Sequence, residues 1–477
     1  MTLAQPRPQI VVMKFGGTSV EDAAAIERTA AIVAARRSHG LQPIVVVSAM
    51  ARVTDQLLAA AGAAGEDDRK TSIAIAVRLR ERHLNTAAQL VQGDVLESLV
   101  TALHHEFDAL EDLLRGIAAV GELTPRTSDL VVSFGERISS RIVAARFARA
   151  DLNAVHVDAR TCIITDSTYG KAVPDQPAIE AALTEYVLPL LATGHTPVLG
   201  GFIGSNAQGI TTTLGRGGSD YTAALVGGAL HAGAIEIWTD VDGIMTSDPR
   251  IVPEALRVKT ISFEEAAELA YFGAKVLHPA TILPAVQKSI PVFVLNSRNP
   301  ANEGTRITAV AARCSSPFKS IAAKKRLTII DIVASRMLMA HGFLKAVFDV
   351  FDKYKCPIDM VSTSEVSISL TVDSNEQLPA ICDELSRIAD VKYEGRKALV
   401  CLVGEDIRGH NGIAGRVFSA ISHVNVRMIS QGASEINMSF MIDEEDVEEA
   451  VRSLHTTFFT NPDATVFDTA ASVTASK

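Results

Sequence analysis

The first residues that could do chemistry surround Lys14. Residues 14–19 read Lys-Phe-Gly-Gly-Thr-Ser and follow a short apolar run. The lysine brings a full positive charge, and the glycines let backbone N–H groups approach an anion where a helix begins. The pattern is compatible with a phosphate site, but a tight turn between a strand and a helix also explains it.

A second group lies at residues 211–220, which read Thr-Thr-Thr-Leu-Gly-Arg-Gly-Gly-Ser-Asp and precede an apolar helical run. Arg216 can bind a carboxylate or a phosphate through two parallel hydrogen bonds. The segment is not a P-loop, because no Gly-Lys-Ser/Thr ending is present, and it is not a dinucleotide fingerprint, because Asp220 stands at the third glycine position. The combination favours an anion-binding loop over a purely structural turn.

A third group, residues 238–250, follows a predicted strand and contains several carboxylates. Loops at the carboxyl ends of parallel strands commonly bind ligands. These carboxylates could hold a metal ion, or Asp-x-Gly and Asp-Pro could serve only as turn formers. Residues 133–137 add an acid, and residues 273–279 add a further cation. No dedicated protein metal site is predicted, since His-Glu-x-x-His and a Cys/His quartet are both missing.

Strands and helices must position these groups. Short apolar runs predict strands at residues 9–15, 43–48, 130–134, 154–158, 196–200 and 235–239, and residues 66–122 read as helical. Thr18 and Glu21 form a Thr-x-x-Glu pattern that predicts the start of the first helix. The alternation of strands and helices predicts an α/β fold, an αβα sandwich around a mainly parallel sheet, over residues 1–300.

An internal repeat follows residue 300. Gly342 and Val347 match Gly412 and Val417 at an offset of 70 residues. Each copy shows an apolar stripe at helical spacing and then strand-like alternation. The repeat predicts two βαββ modules, which we place at residues 325–397 and 398–470.

Composition excludes several classes of protein. The chain has 477 residues, and its 47% hydrophobic and 21% charged residues exclude a disordered protein. The net charge of −10 argues against nucleic-acid binding. The longest charge-free apolar stretch, residues 221–235, falls short of the roughly 20 residues that span a bilayer, so no membrane association is expected. Five cysteines without a Cys-x-x-Cys pair, and no signal-peptide core, predict reduced and mostly buried thiols in a cytoplasmic protein.

Taken together and in this order, the motifs closely resemble those of aspartate kinases, within the amino-acid-kinase superfamily. The resemblance covers nearly the whole chain and rests on residues 14–19, 45–48 with Thr54, 133–136, 201–204, 211–220, 239–240 and 273–279. The C-terminal repeat resembles the paired ACT domains of that family, which are ferredoxin-like βαββαβ folds. The pattern is nearest to the monofunctional, lysine-sensitive branch.

The resemblance implies transfer of the γ-phosphoryl group of ATP, which carries Mg2+, to the side-chain carboxylate of L-aspartate. Such a carboxylate has a pKa of about 3.9 and is already ionised, so the reaction needs charge cancellation and in-line positioning more than a base. The implied catalytic residues are Lys14 at the phosphoryl group, Glu136 at the substrate ammonium, Arg216 at a substrate carboxylate, and Asp220, which orients Lys14. The implied substrate-binding residues are Ser48, Thr54, Glu136, Arg216, Gly217, Gly218 and Ser219. The implied ATP-binding residues are Lys14, Phe15, Gly16, Gly17, Thr239, Asp240, Met245, Arg250, Lys275 and Val276, with Met245 in place of an aromatic residue.

Regulation is implied as well. In the lysine-sensitive branch the effector lies between ACT domains of two subunits, and the matching positions are Met337, Ala340, Gly342, Phe343, Leu344, Ile358, Asp359, Ser364 and Glu365. Ala340 replaces a hydroxyl residue. The resemblance implies a homodimer, with tetramers possible in the inhibited state, L-lysine as the inhibitor and threonine as the competing effector. Two alternatives stay open: a superfamily kinase for another acid, and a non-catalytic amino-acid sensor built on ACT modules.

Overall fold

The computed structural model describes residues 9–272, 279–312, 314, 316–333, 342–373, 376–432 and 434–468. The chain divides into two compact units. The first unit contains residues 1–244 and 276–311, and the second contains residues 245–275 and 312–477.

The strands in chain order are β1 (Ile10–Phe15), β2 (Gln42–Val47), β3 (Ala154–Val157), β4 (Ile164–Thr165), β5 (Thr196–Gly200), β6 (Ile203–Asn206), β7 (Thr211–Thr213), β8 (Ala234–Thr239), β9 (Thr260–Ser262), β10 (Val292–Asn296), β11 (Thr305–Thr308), β12 (Ser320–Val333), β13 (Met360–Thr363), β14 (Ser367–Asp373), β15 (Asp390–Val403), β16 (Met428–Gln431) and β17 (Asn437–Asp443). The helices are α1 (Ala23–Ser38), α2 (Val53–Gly65), α3 (Arg69–Leu90), α4 (Asp94–Val120), α5 (Pro125–Arg149), α6 (Gln176–Tyr186), α7 (Leu188–Ala192), α8 (Gly218–Ala229), α9 (Phe263–Tyr271), α10 (Leu283–Gln287), α11 (Phe343–Lys353), α12 (Leu378–Leu385), α13 (Ile413–Ala420) and α14 (Val447–Phe459).

The first unit is built on a mainly parallel sheet, as predicted. Strands β3, β5, β2, β1, β8 and β10 lie side by side in that order, all parallel, and β11 pairs antiparallel with β10. The inner strands β1 and β2 are buried along almost their whole length, which is why they read as continuous apolar runs. The chain passes from β1 to β2 on one side, while β8 lies on the other. The carboxyl end of β1 is therefore a switch point of the kind where α/β sheets bind ligands.

One predicted strand is wrong. Residues 130–134 lie inside the helix α5, which Thr124 caps by accepting a hydrogen bond from Thr127 N, with Pro125 as the first helical residue. Most residues of the run are buried because this helix lies within the core, and burial on several faces hides the helical period. The other five predicted strands are confirmed to within one residue at each end, and the helical section contains α3 and α4.

The predicted start of the first helix is also wrong. Residues Gly17–Ser19 form a short 3-10 turn, closed by hydrogen bonds from Ser19 N to Gly16 O and from Val20 N to Gly17 O. This turn contains Thr18, which therefore lies too early in the chain to cap α1. Helix α1 begins at Ala23, and Asp22 caps it by accepting a hydrogen bond of 2.8 Å from Ala25 N.

The second unit contains a six-stranded antiparallel sheet in the order β13, β14, β12, β15, β17, β16. The repeat is confirmed, since α11, β13 and β14 correspond to α13, β16 and β17, with Val347 and Val417 fully buried at matching positions. Strands β12 and β15 have 14 residues each. Residues 327–333 of β12 pair with β14 and with residues 390–397 of β15, whereas residues 320–324 pair with residues 399–403. Each long strand therefore belongs to both copies of the repeat.

The predicted state of the cysteines is confirmed, because all five are free thiols and four of them are buried. Over the described residues, none of the helices is both long enough and apolar enough to cross a membrane.

Candidate active site

Lys14 and Asp220 form an ion pair at the carboxyl end of β1. The Lys14 Nζ atom lies 2.7 Å from Asp220 Oδ1, and the two side chains are 11% and 14% exposed. Asp220 belongs to the first turn of α8, so the pair joins the central strand to the start of this helix. Because the pair is mostly shielded from water, the lysine charge is held at a defined position.

Gly16 and Gly17 allow two loops to touch. Gly16 N donates a hydrogen bond to Trp238 O, and Ala51 N donates one to Gly17 O. A Cβ atom at Gly17 would lie 3.0 Å from the carbonyl oxygen of Ala49. The absence of a side chain at residue 17 therefore brings the loop after β1 against the loop after β2, and close backbone packing is a role that sequence reasoning had not assigned to it.

Glu136 is a buried carboxylate, and one of its two oxygens has no hydrogen-bond partner among the described residues. It lies on α5 and is 3% exposed, and its Oε1 atom accepts a hydrogen bond of 3.1 Å from Ala49 N. Burial raises the pKa of Glu136 from 4.5 to about 8, even though this hydrogen bond and the positive charge of Lys14 act in the opposite direction. The Oε2 atom is buried and has no hydrogen-bond partner within the described part of the chain. A buried acceptor of this kind suits a cationic donor.

Arg216 lies between two glycines in the left-handed conformation, Gly215 at φ +77° and Gly217 at φ +71°. Its side chain is exposed, and no described residue forms a hydrogen bond or an ion pair with it. Gly217 is the residue before α8, and a Cβ at the next residue, Gly218, would lie 2.6 Å from the ring of Phe202. The backbone of the loop is thus tightly packed while its guanidinium group is available to bind an anion.

One cavity of about 530 Å³ brings these groups together. All of the sequence-predicted catalytic and substrate-binding positions line it: Lys14, Ser48, Thr54, Glu136, Arg216, Gly217, Gly218, Ser219 and Asp220. They come from the ends of β1 and β2, from α2 and α5, and from the start of α8. The cavity wall combines three cationic side chains, Lys14, Arg52 and Arg216, with three carboxylic acid side chains, Asp55, Glu136 and Asp220. This charge pattern suits a small ligand that carries charges of both signs.

The positions predicted for ATP are more scattered. Gly17 lines the cavity, whereas Phe15 is fully buried and stacks on Trp238. Thr239 and Asp240 lie at the carboxyl end of β8, where Thr239 Oγ1 donates a hydrogen bond of 3.2 Å to Asp240 Oδ1 and the Asp240 side chain is exposed.

Two further ATP positions belong to the second unit. The carbonyl oxygen of Met245 accepts a hydrogen bond of 2.7 Å from Ser320 Oγ. Arg250 is exposed and pairs with Asp248 at 2.6 Å. Lys275 and Val276 lie outside the described residues.

The positions predicted for an effector lie around α11 and β13, and one of them already has a cationic partner. The carboxylate of Asp359 is 4% exposed and lies 2.8 Å and 3.0 Å from Lys324 Nζ. It also accepts a hydrogen bond of 3.2 Å from the hydroxyl group of Tyr271. The carboxylate that was expected to receive an effector ammonium group is therefore paired with a lysine of the same chain.

The remaining effector positions are more open. Gly342 precedes α11 at φ +86°, and Phe343 and Leu344 form its first turn, with Leu344 42% exposed. Ile358 is half-buried, Ser364 Oγ forms a hydrogen bond of 2.7 Å with Ser367 Oγ, and Glu365 is exposed. Met337 and Ala340 lie outside the described residues.

Sequence reasoning missed part of the cavity wall. The additional lining residues are Ala49, Met50, Ala51, Arg52, Asp55, Phe202 and Gly215. Arg52 and Phe202 both adopt the left-handed conformation, at φ +66° and φ +65°, although neither residue type favours it. Phe202 lies in the motif at residues 201–204. The sequence around Arg52 contains no glycine or asparagine that would signal the left-handed conformation of Arg52.

Comparisons with known proteins agree with this architecture. The model of the amino acid kinase family matches residues 9–296, and an ACT domain model matches residues 400–458. Lysine-sensitive aspartokinase 3 of Escherichia coli K12 is 38% identical over 465 residues, which cover 94% of this chain and 99% of that protein. The chloroplastic aspartokinase 2 of Arabidopsis thaliana is 39% identical over 467 residues, covering 94% of this chain and 84% of that protein.

Solved structures give the same result. The structure of E. coli aspartokinase III in complex with aspartate and ADP has a TM-score of 0.81 at 37% identity, covering 94% of this chain and 100% of that one. The structure of the same enzyme with lysine and aspartate has a TM-score of 0.79 at 37% identity, covering 94% of this chain and 99% of that one. The chain therefore belongs to the amino acid kinase family and, within it, to the aspartokinases that carry C-terminal ACT domains.

Proposed function

We propose that the chain is an ATP-dependent aspartate kinase, which transfers the γ-phosphoryl group of ATP to the side-chain carboxylate of L-aspartate and forms 4-phospho-L-aspartate and ADP. The single observation that carries this assignment is the cavity in which Lys14, Glu136, Arg216 and Asp220 meet. Further support comes from the similarity to an E. coli aspartokinase solved with aspartate and ADP.

The charged groups of the cavity suit the three charges of aspartate. Arg216 would bind a carboxylate of aspartate, and the unpartnered Oε2 atom of Glu136 would receive the ammonium group. Ser48, Thr54 and Ser219 would add hydrogen bonds, while the backbone of Gly217 and Gly218 would allow close approach. The side-chain carboxylate of the substrate is then left to face Lys14.

The chemical step needs little from the protein beyond positioning and charge. An oxygen of the substrate carboxylate attacks the γ-phosphorus, and the bond from that phosphorus to the oxygen bridging it to the β-phosphate breaks, so that ADP leaves with the electron pair. No proton has to be moved, because the attacking carboxylate is already ionised. Lys14 would stabilise the negative charge on the transferring group, and Asp220 would hold the ammonium of Lys14 in place.

ATP with Mg2+ is the proposed phosphoryl donor. Gly16, Gly17, Thr239 and Asp240 lie at the ends of the neighbouring strands β1 and β8, where a phosphate chain could be bound. The exposed carboxylate of Asp240 is the kind of oxygen ligand that Mg2+ accepts, and the ion would neutralise phosphate charge there. The contacts of Phe15, Met245, Arg250, Lys275 and Val276 with the nucleotide stay predictions.

We also propose L-lysine as a feedback inhibitor that binds at the first ACT module. The start of α11 could accept the effector carboxylate, and Asp359 with Glu365 could accept its ammonium groups. Because Asp359 is paired with Lys324, an effector ammonium group would have to replace the Lys324 side chain. A homodimer through the ACT domains, with tetramers possible in the inhibited state, belongs to this proposal.

The cellular setting follows from the same assignment. We propose a cytoplasmic enzyme at the first step of the route to lysine, threonine and methionine. We further propose that its domains comprise residues 1–300, 325–397 and 398–470. The five free thiols are consistent with a reducing compartment.

A coupled assay of ADP release tests the function. The purified chain should release ADP with L-aspartate and ATP, and far less with N-acetyl-L-glutamate or carbamate. ADP release that is fastest with one of the other acids would identify a different superfamily kinase. Binding of L-lysine without ADP release from any acid would identify an amino-acid sensor.

A further inference from the structure

Asp129 is a buried carboxylate to which the sequence assigns no role. It lies on α5, seven residues before Glu136, and two helical turns place both side chains on the same side of that helix. Asp129 is 3% exposed. Its carboxylate accepts hydrogen bonds from Thr213 N at 3.0 Å, from Thr213 Oγ1 at 2.7 Å, and from Gly170 N at 2.9 Å and 3.0 Å.

These partners hold both sides of the loop that carries Arg216. Thr213 is the last residue of β7, three residues before Arg216, and its carbonyl oxygen accepts a hydrogen bond of 2.8 Å from Ala172 N. On the other side, a Cβ atom at Gly215 would lie 3.0 Å from the carbonyl oxygen of Gly170. The carboxylate of Asp129 therefore clamps the segment before the loop and the segment against which the loop packs.

The loop needs such a restraint. Gly215 and Gly217 flank Arg216, and glycine is the residue with the greatest backbone freedom. No described residue anchors the Arg216 side chain. Its position is therefore set by the backbone, and the hydrogen bonds from residues 170 and 213 to a charged carboxylate are the strong, directional kind.

We propose that Asp129 is a positioning residue for substrate recognition: it fixes residues 213–217 so that the Arg216 guanidinium group meets a carboxylate of the amino-acid substrate. This inference rests on the proposed function, because it assigns to Arg216 the binding of aspartate. Asp129 itself acts only through Thr213 and Gly170. One helix, α5, would then position both the group for the substrate ammonium and the group for a substrate carboxylate.

Asp129→Asn tests the proposal at nearly constant volume, because it replaces one acceptor oxygen by an amide that faces an N–H group. The KM for aspartate should rise about 10- to 150-fold, which corresponds to the loss of a hydrogen bond to a charged group. The KM for ATP should stay within about twofold, and kcat should fall less than the KM for aspartate rises. Thr213→Val, which removes only the hydroxyl donor, should give a smaller change in the same direction.

Asp175→Ala is the matched control. Asp175 caps α6 by accepting a hydrogen bond of 3.2 Å from Ala178 N, and it contributes nothing to the Arg216 loop. This variant should lose stability without a change in the KM for aspartate. An equal rise of both Michaelis constants in Asp129→Asn, or an unchanged KM for aspartate in a folded variant, would overturn the proposal.

Amide hydrogen exchange of residues 211–217 in the ligand-free protein gives a reading that does not depend on the reaction. Exchange should be faster in Asp129→Asn than in the wild type and unchanged in Asp175→Ala. If the wild type releases no ADP with aspartate, the proposed function fails. The exchange rates still show whether Asp129 restrains residues 211–217. Unchanged exchange in Asp129→Asn would refute this restraint.

Discussion

At the level of single residues, the charged groups of the cavity differ in what holds them. Lys14 is paired with Asp220, Glu136 receives one backbone hydrogen bond, and Arg216 has no partner among the described residues. Lys14, which is proposed to act on the transition state, is thus held in place by an ion pair. Glu136 and Arg216, which are proposed to bind substrate, keep atoms that can still form hydrogen bonds with it.

Lys14→Ala should therefore lower turnover much more than it weakens aspartate binding. The lysine charge acts mainly on the developing transition state, and losing one such group typically reduces kcat about 10²- to 10³-fold. Steady-state kinetics measure this, with the exposed Lys70→Ala as the control for loss of a positive charge. A kcat within about threefold of the wild type would remove Lys14 from the catalytic residues.

The raised pKa of Glu136 predicts a pH dependence of substrate binding. In the free enzyme this carboxyl titrates at about pH 8, and only its ionised form can pair with an ammonium group. The value of kcat/KM for aspartate should therefore increase as the pH rises through 8, where half of the enzyme carries ionised Glu136, and level off above about pH 9. Glu136→Gln should lower kcat/KM about 10- to 150-fold and flatten the profile. A wild-type profile that is flat from pH 6 to 9 would contradict this assignment.

The same shift predicts an effect on stability. The pKa of Glu136 is higher in the folded chain than its ordinary value of 4.5, so the folded state binds the proton more tightly. Its favourable contribution is present below pH 4.5 and is lost as the pH rises to about 8. Glu136→Gln should then raise the free energy of unfolding at pH 9 by at least about 1 kcal/mol, and by much less at pH 5. Urea denaturation of the ligand-free proteins at the two pH values measures the difference.

At the level of elements, the sequence predicts what depends on local pattern and misses what depends on distant partners. The strands β1 and β2 could be predicted because apolar runs bounded by glycine or polar residues identify buried strands. The run at residues 130–134 has the same composition, yet it lies in α5, because its cap and first proline precede it by several residues. The motif residues could be found because their types carry chemistry. The clamp by Asp129 and the pairing of Asp359 with Lys324 could not, because each joins residues that are 35 to 84 positions apart.

The corrected start of α1 predicts which residue stabilises this helix. Asp22→Ala should lower the free energy of unfolding by about 1 kcal/mol, because the N-cap hydrogen bond to Ala25 N is lost. Thr18→Ala should have a much smaller effect, since Thr18 lies in the preceding 3-10 turn. Urea denaturation of the two variants compares them directly. The opposite ranking would restore the capping box at Thr18.

At the level of the whole molecule, the proposed control by lysine depends on a competition between two ammonium groups. Asp359→Ala removes the acceptor and should raise the inhibitory lysine concentration about 10- to 150-fold. Lys324→Met removes the ammonium group that now pairs with Asp359, and it should lower the inhibitory lysine concentration about tenfold. Uninhibited turnover should stay near the wild-type value in both variants, because neither residue lines the catalytic cavity.

Lysine and threonine titrations of ADP release measure the effect. Lys345→Met is the control, because Lys345 forms an exposed pair with Asp349 on α11 and its loss changes the charge equally. Inhibition of the wild type by threonine but not by lysine would refute the effector assignment. Weaker inhibition by lysine in Lys324→Met would show that Lys324 assists binding instead of competing.

The two long strands of the second unit have a consequence for how this half of the chain can be divided. Residues 320–324 pair with residues 399–403 of β15, although they come before the helix of the first copy in the chain. The first copy is therefore inserted in the chain between two paired strands of the second copy. A fragment that starts at residue 398 would leave the edge of β15 bare and open to self-association. No single pair of cuts removes the second copy alone, because its strands at residues 320–324 and 399–403 lie on opposite sides of the first copy in the chain. We expect both copies to unfold in one cooperative step.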